Sequence, residues 1–598
     1  MTYPSPAIRF FRSNLILPIF LGCSGFFPFF FWLPKTSFEQ WTILLAGWVL
    51  SGLIFALVWQ RMLAGILLTR LQAYPRRWRI GWAVACLLAG VWLAMNIPLS
   101  TPPIELNSFL TPSALRLVYR ASAGFSIGMA LFFLFWVGST IYVKPKPQLP
   151  PPPTFLVFSY ALPMIGIWLV YLLAFYPGMM SADSMVQWEQ VISGRYNDHH
   201  PFFHTLLIWL VTRPVLSPTA VAVAQILTLA LTAGAWLVLM QEMGLPRWLT
   251  GCAAALFALT PVNGTMVNTL WKDIPYSTAV LYLTLLTARL VFSHGGWIQR
   301  PFSPVHLGVT VALVLLLRHD GFPLGIGTLL LLTLAYLKYW KRWLISGLVC
   351  AILYAGARGP LYRWIDVQPS QILEQSFVSI YRMAAYVIPG SPTERVVSDL
   401  TDIAAAWDCQ LWSKLAPGWE KTDLYPNLPV YQAAFNLIPR MPGILLYYYR
   451  CARSMEWLIY DPVGEVRNAS HVQVLVDPNP FGLRHDSKII PLRDWIADWV
   501  VETARNPNLN WFTWRPAFFL YIQFFITALL ILRNRNPRFG LLAVPILLQS
   551  VTFSLILAEP NFRYHYAVYL VSLISLPLLF MPPIQALNAS GKETETQR

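Results

Sequence analysis

The stretch Phe155-Leu-Val-Phe-Ser-Tyr-Ala-Leu-Pro-Met-Ile-Gly-Ile-Trp-Leu-Val-Tyr-Leu-Leu-Ala-Phe175 runs directly into Tyr176-Pro-Gly-Met-Met-Ser-Ala-Asp183-Ser-Met185. Asn197-Asp-His-His-Pro201 follows shortly after. The first part is an apolar run near the ~20 residues that carry a helix across a bilayer. The second sets an isolated acid, Asp183, just past the end of that run. A loop between membrane spans is expected to be short and chemically plain. This one is polar, aromatic and rich in histidine, which points to chemistry at the membrane surface.

Working outward, similar apolar runs recur along most of the chain. Of its residues 56% are hydrophobic, 15% aromatic and 12% charged, against roughly 25% charged in a soluble protein. These values define a polytopic all-α membrane protein. The formal charge of +16 raises the question of nucleic acid. The Lys and Arg residues sit in short loops between spans, however, where they fix topology, so no nucleic-acid partner is expected; the bilayer is the expected partner.

Hydropathy gives about fourteen spans. They run Asn14–Pro34, Trp41–Gln60, Ile80–Leu99, Ala121–Val143, Phe155–Phe175, Thr219–Met240 and Trp248–Val267, then Ile274–Phe292, Val305–Leu317, Pro323–Leu337 and Trp343–Ala357, and finally Pro516–Leu532, Leu541–Leu557 and Tyr566–Met581. The first reads as a signal anchor. Basic loops such as Arg61–Arg79, Lys338–Arg342 and Arg533–Arg538 all fall on one side, which the positive-inside rule makes cytoplasmic. The expectation is a multi-pass plasma (inner) membrane protein with both termini cytoplasmic. Asp183, His199, His200, Lys272, Asp273, Arg318, His319, Asp320, Glu559, Arg563 and His565 then gather on the extracytoplasmic side, each near the end of a span.

The organisation follows. Residues 1–143 form an N-terminal four-span unit, and the Pro-rich stretch 144–153 is a stiff cytoplasmic linker. Residues 154–357 form a membrane module, and 358–515 a mainly helical extracytoplasmic domain rich in Trp and Tyr. Residues 516–582 make a C-terminal three-span unit, and 583–598 a polar, disordered tail. The six Cys are scattered; only Cys409 and Cys451 share an outside region, so a disulfide there stays open. No CxxC or HExxH motif occurs, which leaves zinc weakly supported.

Several motifs carry chemistry. Asp183 reads equally as a helix N-cap and as a catalytic acid. Met185, Trp188, Val191 and Ile192 share one side at helical spacing, suiting an interfacial helix with Trp188 at headgroup level. His200 and His204 at i,i+4 have metal-ligand spacing, although Pro201 starting a helix with histidines at its polar entrance is the plainer reading. Lys272-Asp273-Ile-Pro275 opens a span, with Asp273 as a candidate cap. Arg318-His319-Asp320-Gly321 turns between two spans, and Arg563-Tyr-His565 begins the last. Charges at span ends can simply snorkel. Three basic clusters on one face favour a phosphate site, because Arg matches phosphate oxygens bidentately.

Together the patterns YPG-x-x-S-x-D-S-x-x-Q, N-D-x-H-P, K-D-x-P and R-H-x-G resemble those of the GT-C-type membrane glycosyltransferases, closest to a bacterial branch. Protein O-mannosyltransferases and lipid A aminoarabinose transferases are more distant relatives. The resemblance covers Phe155–Ala357, with an echo at Glu559–His565. It implies transfer of a sugar from a polyprenyl-phosphate donor to a hydroxyl of a glycan, lipid or protein acceptor. It implies that Asp183 is the general base, or helps hold a divalent metal such as Mg or Mn. Lys272, Arg318 and Arg563 are the implied phosphate-binding residues, with His319 and His565 as weaker ones, and His199, His200, Asp273 and Asp320 are further substrate-contact candidates. One departure is that Asp183 is followed by Ser184 where relatives carry an acidic pair, so metal dependence stays open.

Other classes fit less well. A transporter or flippase of a lipid-linked cell-envelope precursor tends to show repeats and mid-membrane charged sites, whereas the polar groups here sit at span ends. A membrane O-acyltransferase is expected to bury a catalytic His at mid-membrane. A scaffold protein would be indifferent to loss of Asp183.

Overall fold

The computed structural model describes residues 49–50, 74–96, 112–143, 155–369, 454–460, 479–556 and 561–584. Among these residues there are helices and isolated bridges but no named strand. Among the described residues eight helices are long and apolar enough to cross a membrane, or nine if one bent pair counts as a single span. The chain is thus an all-α, multi-pass membrane protein. The expected spans Asn14–Pro34 and, apart from residues 49–50, Trp41–Gln60 lie outside the described residues. So do the Pro-rich linker, Cys409, Cys451, Glu559, the tail from 585 and most of 358–515.

The chain divides into two compact units, Met1–Val143 and Lys144–Arg598. In the first, α1 (Arg76–Met95) packs on α2 (Pro112–Gly138). Gly90, Gly124 and Gly128 let the two backbones touch, the usual device where lipid offers no hydrophobic drive for helix association.

The second unit carries the site. Its helices are α3 (Phe155–Ala174), α4 (Ala182–Ser193), α5 (Phe202–Val211), α6 (Pro218–Glu242), α7 (Arg247–Leu259), α8 (Pro261–Val267), α9 (Asp273–Phe292), α10 (Ser303–Leu317), α11 (Gly321–Ala335) and α12 (Trp340–Gly356). A π-turn, Ala357–Leu361, extends the last of these into α13 (Tyr362–Trp364). Then follow α14 (Ser454–Trp457), α15 (Ile490–Arg505), α16 (Pro507–Thr513), α17 (Pro516–Asn534), α18 (Val544–Ile556) and α19 (Tyr566–Ser575). Local chemistry sets the starts. Ser217 caps α6 ahead of Pro218, and Asn506 caps α16 ahead of Pro507.

Burial orders the helices. The span Asp273–Phe292 is 83% buried and Phe562–Phe580 is 78% buried, against 28% for Phe155–Ala174 and 17% for Leu337–Trp364. Hence α9 and α19 form the centre and pack on each other, while α3 and α12 face outward. Indole N–H groups lace the layers. Trp168 donates to the Ala258 carbonyl at 3.1 Å and Trp236 to the Leu281 carbonyl at 3.1 Å. The C-terminal helices expected as a separate unit belong to this compact unit.

One expectation is refined and one corrected. Trp248–Val267 reads as one span but bends by 58° between α7 and α8. Pro261 has no N–H and excludes the preceding residue from helical geometry, and Thr260 is extended. Polar groups from the last span satisfy the break. The Thr260 hydroxyl meets that of Tyr569 at 2.8 Å, and the Tyr566 hydroxyl donates to Asn263 Oδ1 at 2.8 Å. Trp188, expected at headgroup level, is 2% exposed. Ser184, Gln187 and Gln190 are buried with it, so this face of α4 packs into protein.

The glycine contact in the first unit is directly testable. A Cβ at Gly90 would overlap the backbone of Gly124 and Gly128, while one at Gly81 meets nothing within 4 Å. Gly90→Ala should lower the melting temperature of the detergent-solubilised protein by the equivalent of about 1–3 kcal/mol, and Gly81→Ala should not lower it.

Candidate functional site

The site is assembled by two loops hydrogen-bonded to each other. The loop after α3 and the loop before α9 pair as a short parallel bridge. Met179 N–H donates to the Asn268 carbonyl, and Leu270 N–H to the Met179 carbonyl, both at 2.9 Å. The Gln225 carboxamide of α6 donates to the carbonyls of Val267 and Thr269 at 2.8 and 2.9 Å. Thr219 fixes the Pro177 carbonyl at 3.0 Å. Trp271 donates to Ser181 Oγ at 2.8 Å, and Ser184 Oγ to the Leu270 carbonyl at 2.8 Å. The serines flanking Asp183 are therefore occupied in holding the loops together.

This answers the question of the cap. Ser181 occupies the N-cap of α4, and Asp183 lies in its first turn. Its carboxylate is not consumed as a cap, although it benefits from the positive end of the helix. Asp183 Oδ2 accepts from Arg563 Nη1 at 2.8 Å and lies 4.0 Å from Lys272 Nζ. The acid side chain is 31% exposed, Lys272 15% and Arg563 10%. Arg563 also donates to the Tyr564 hydroxyl at 2.9 Å and lies over the Trp271 ring, while its buried Nε has no partner among the described residues. Lys272 Nζ meets His200 Nδ1 at 3.0 Å. An ammonium can only donate, so His200 accepts at Nδ1 and carries its proton on Nε2. His199 packs edge-on to His200 and is exposed.

The electrostatics follow from burial and neighbours. Burial alone would raise the Asp183 carboxyl; Arg563, Lys272 and His200 outweigh it and hold the group well below the usual carboxylate range. Burial, with the Lys272 charge adding, pushes His200 down to about 3 and lowers His199. Burial brings Lys272 down to about 8, opposed chiefly by Asp183.

The remaining charges form two further groups. Arg318 is committed to carboxylates: it bonds Asp273 Oδ1 and makes a bidentate pair with Asp320 at 2.8 Å. Asp273 stands in the first turn of α9 with Lys272 at the N-cap position, so it faces Arg318 instead of capping the helix. Gly321 closes this turn, since a Cβ there would overlap the Val314 carbonyl. Beside it, Asp198 joins four elements. It accepts from Phe202 N–H at 3.0 Å, from the Tyr362 hydroxyl at 3.0 Å and from Arg358 Nη1. Its carbonyl takes His319 Nε2 at 3.0 Å, while Arg358 Nη2 meets His319 Nδ1 at 3.1 Å. His319 thus donates at one nitrogen and accepts at the other as a neutral ring, in keeping with the downward push of burial.

His565 lies elsewhere. It is fully buried, 3.2 Å from the equally buried Glu456 and edge-on to Phe553. It anchors the 454–457 segment and does not meet Asp183. Asp198, Arg358, Tyr362 and Glu456 were not singled out in the sequence. Asp198 stood inside the Asn197–Pro201 motif, but Arg358 reads there as a domain boundary, and long-range partners have no local signal.

The donor set does not suit a metal. Among the described residues no three His, Cys, Asp or Glu side chains gather in a group that could hold an ion. His200 is engaged by Lys272. His204, its i,i+4 partner, meets Gln187 Oε1 at 3.0 Å. Asp183 faces two cations.

Fold and site define a multi-pass membrane protein with a charged cluster at the ends of its central helices. Comparison with protein-family models, with curated proteins and with solved structures finds no match.

A buried lysine lowered to about 8 makes a testable statement. Between about 8 and the ordinary 10.5 the unfolded chain holds the proton that the folded chain has lost, so Lys272 lets stability rise with pH across that window. Asp183 is the leading charge that opposes this lowering. Asp183→Asn should move the titration of Lys272, read from pH-dependent amine labelling, below about 8; an unchanged or higher midpoint would contradict the geometry.

Proposed function

We propose that the chain is a GT-C-type glycosyltransferase that moves a sugar from a polyprenyl-phosphate donor to an acceptor hydroxyl at the extracytoplasmic face of the plasma membrane. The observation that carries this reading is a partly open carboxylate, Asp183, held between Arg563 and Lys272 at the ends of central membrane helices. A glycosyl phosphate leaves with negative charge growing on phosphate, which a preorganised Lys and Arg stabilise. The attacking hydroxyl must lose a proton, and a positioned carboxylate can take it. The lipid tail stays in the bilayer while the phosphate sits where helices end.

In this reading Arg563 and Lys272 bind the donor phosphate. Arg318, already matched by two carboxylates, holds the 318–321 turn beside Lys272 rather than binding donor. His200 orients Lys272, and His199, the more exposed of the pair, faces the acceptor. The acceptor class is a glycan, lipid or protein of the cell envelope. The full count of fourteen spans, with both termini cytoplasmic, belongs to the same proposal. The bend at Thr260 does not favour a transporter, because no charged group lies at the break and its polar groups are satisfied internally.

The test uses the purified protein in lipid vesicles with a panel of radiolabelled polyprenyl-phosphate sugars and a cell-envelope fraction as acceptor. Asp183→Asn should lower sugar transfer by about 100-fold or more while the protein still folds. Equal transfer by both proteins would remove Asp183 from the chemistry.

A further inference from the structure

The charges around the site do not balance evenly from place to place. Among the described residues, Arg318 faces two carboxylates, Asp273 and Asp320. Arg358 faces one, Asp198. At the third place two cations, Arg563 and Lys272, share the single carboxylate of Asp183. The histidines there do not alter the count, since His199 and His200 are lowered by burial and neutral near pH 7. Of the three groups, this one alone carries surplus positive charge, and it is also the one whose acid is most open, at 31%.

Its contacts are unequal. Asp183 Oδ2 is bound to Arg563 at 2.8 Å but stands 4.0 Å from Lys272, beyond a hydrogen bond. Arg563 is nine-tenths buried, and its Nε, also buried, has no partner among the described residues. An orphaned buried donor is costly, and a guanidinium presents Nε and Nη as a fork for two oxygens. Asp183 holds Nη1 and the Tyr564 hydroxyl holds Nη2, which leaves Nε over. A tetrahedral anion with several oxygens that takes the place of the carboxylate at Nη1 can reach Lys272 as well.

We infer that Asp183 is the resident counter-anion of a phosphate site, and that a phosphate group binds by displacing its carboxylate from Arg563 rather than by sharing a divalent metal with it. The inference rests on the phosphate-binding part of the reading above and names how that site is regulated. In the resting site the carboxylate occupies the guanidinium and is too strongly held to accept a proton. Entry of the phosphate exchanges one anion for another on Arg563 and frees Asp183 for the acceptor hydroxyl. Donor therefore binds before the acceptor is activated, and the acid cannot act on a hydroxyl when no donor is present.

The consequence separates this arrangement from a metal-bridged one. An acid that competes with phosphate weakens phosphate binding, so removing its charge strengthens it. An acid that holds a metal for the phosphate does the reverse. The experiment measures binding of a sugar-free polyprenyl phosphate to the full-length protein in nanodiscs, with Mg²⁺ or with EDTA. Wild type, Asp183→Asn, Asp183→Ser and Arg563→Gln are compared. The expected result is binding about fivefold tighter in both Asp183 variants, unchanged by EDTA, and lost in Arg563→Gln. The ligand-induced rise in melting temperature, larger in the Asp183 variants than in wild type, reports the same exchange on folded protein only. Binding that is weaker or unchanged in the Asp183 variants, or abolished by EDTA, would overturn the displacement while leaving the phosphate site standing. No binding by wild type or by any variant would overturn the phosphate site itself, and the displacement with it.

Discussion

The structure turns on one ion pair. Arg563 at the start of the last span meets Asp183 in the first turn of α4 at 2.8 Å, which brings distant parts of the chain together at one place. Charges near a bilayer core are costly unless paired, and a chain that is 12% charged has few to spend. Several of those in the second unit gather at the starts of α4, α9 and α19 and in the turn after α10. Packing of α9 on α19, the two most buried spans, carries Lys272 and Arg563 at their starts, and the bridge between Met179 and the 268–270 loop sets the start of α4, with Asp183, against them.

The surroundings read as consequences of that placement. Lys272 arrives next to Asp183 because the 268–272 loop is held by Gln225, Asn268 and the bridge to Met179. His200 accepts from Lys272 because Asp198 fixes the 197–201 turn through Arg358, Tyr362 and Phe202. The Asp198 hub and the Arg318 turn are internally matched and act as supports. Among these three groups of described residues, the Asp183 group is the one left with an unmatched cation, and the proposed phosphate site rests on that asymmetry.

Much of the site was legible in the sequence because its residues obey a simple physical rule. Ionisable side chains at the ends of apolar runs stand out against lipid, so Asp183, Lys272 and Arg563 announce themselves, as do Asp273, Arg318 and Asp320. Which charge meets which was not legible. Arg318 and Arg563 look alike in sequence, yet one is matched by two acids and the other shares a single acid with Lys272, because pairing depends on how helices cross. His565 sits two residues from Arg563 and was grouped with it; the turn at Phe562–His565 sends it into the core against Glu456 instead. The cap at Asp183 was ambiguous because Ser181 and Asp183 are both good capping residues, and only the backbone of Ser181, extended just before the helix, decides between them. The break at Thr260 is written in Pro261, but an apolar window averages over it.

The proposed function stands or falls at the place between Asp183, Lys272 and Arg563, where the phosphate of a lipid-linked substrate is proposed to bind. The most direct measurement is photo-crosslinking with a polyprenyl phosphate that carries a small photoreactive group next to the phosphate, followed by peptide mapping. The expected adducts are confined to the segments around Ser181–Ser184, Trp271–Lys272 and Asn561–Tyr566 and are suppressed by excess unlabelled lipid. Adducts spread over the outward-facing α3 and α12, or centred on a segment remote from these three, would contradict it.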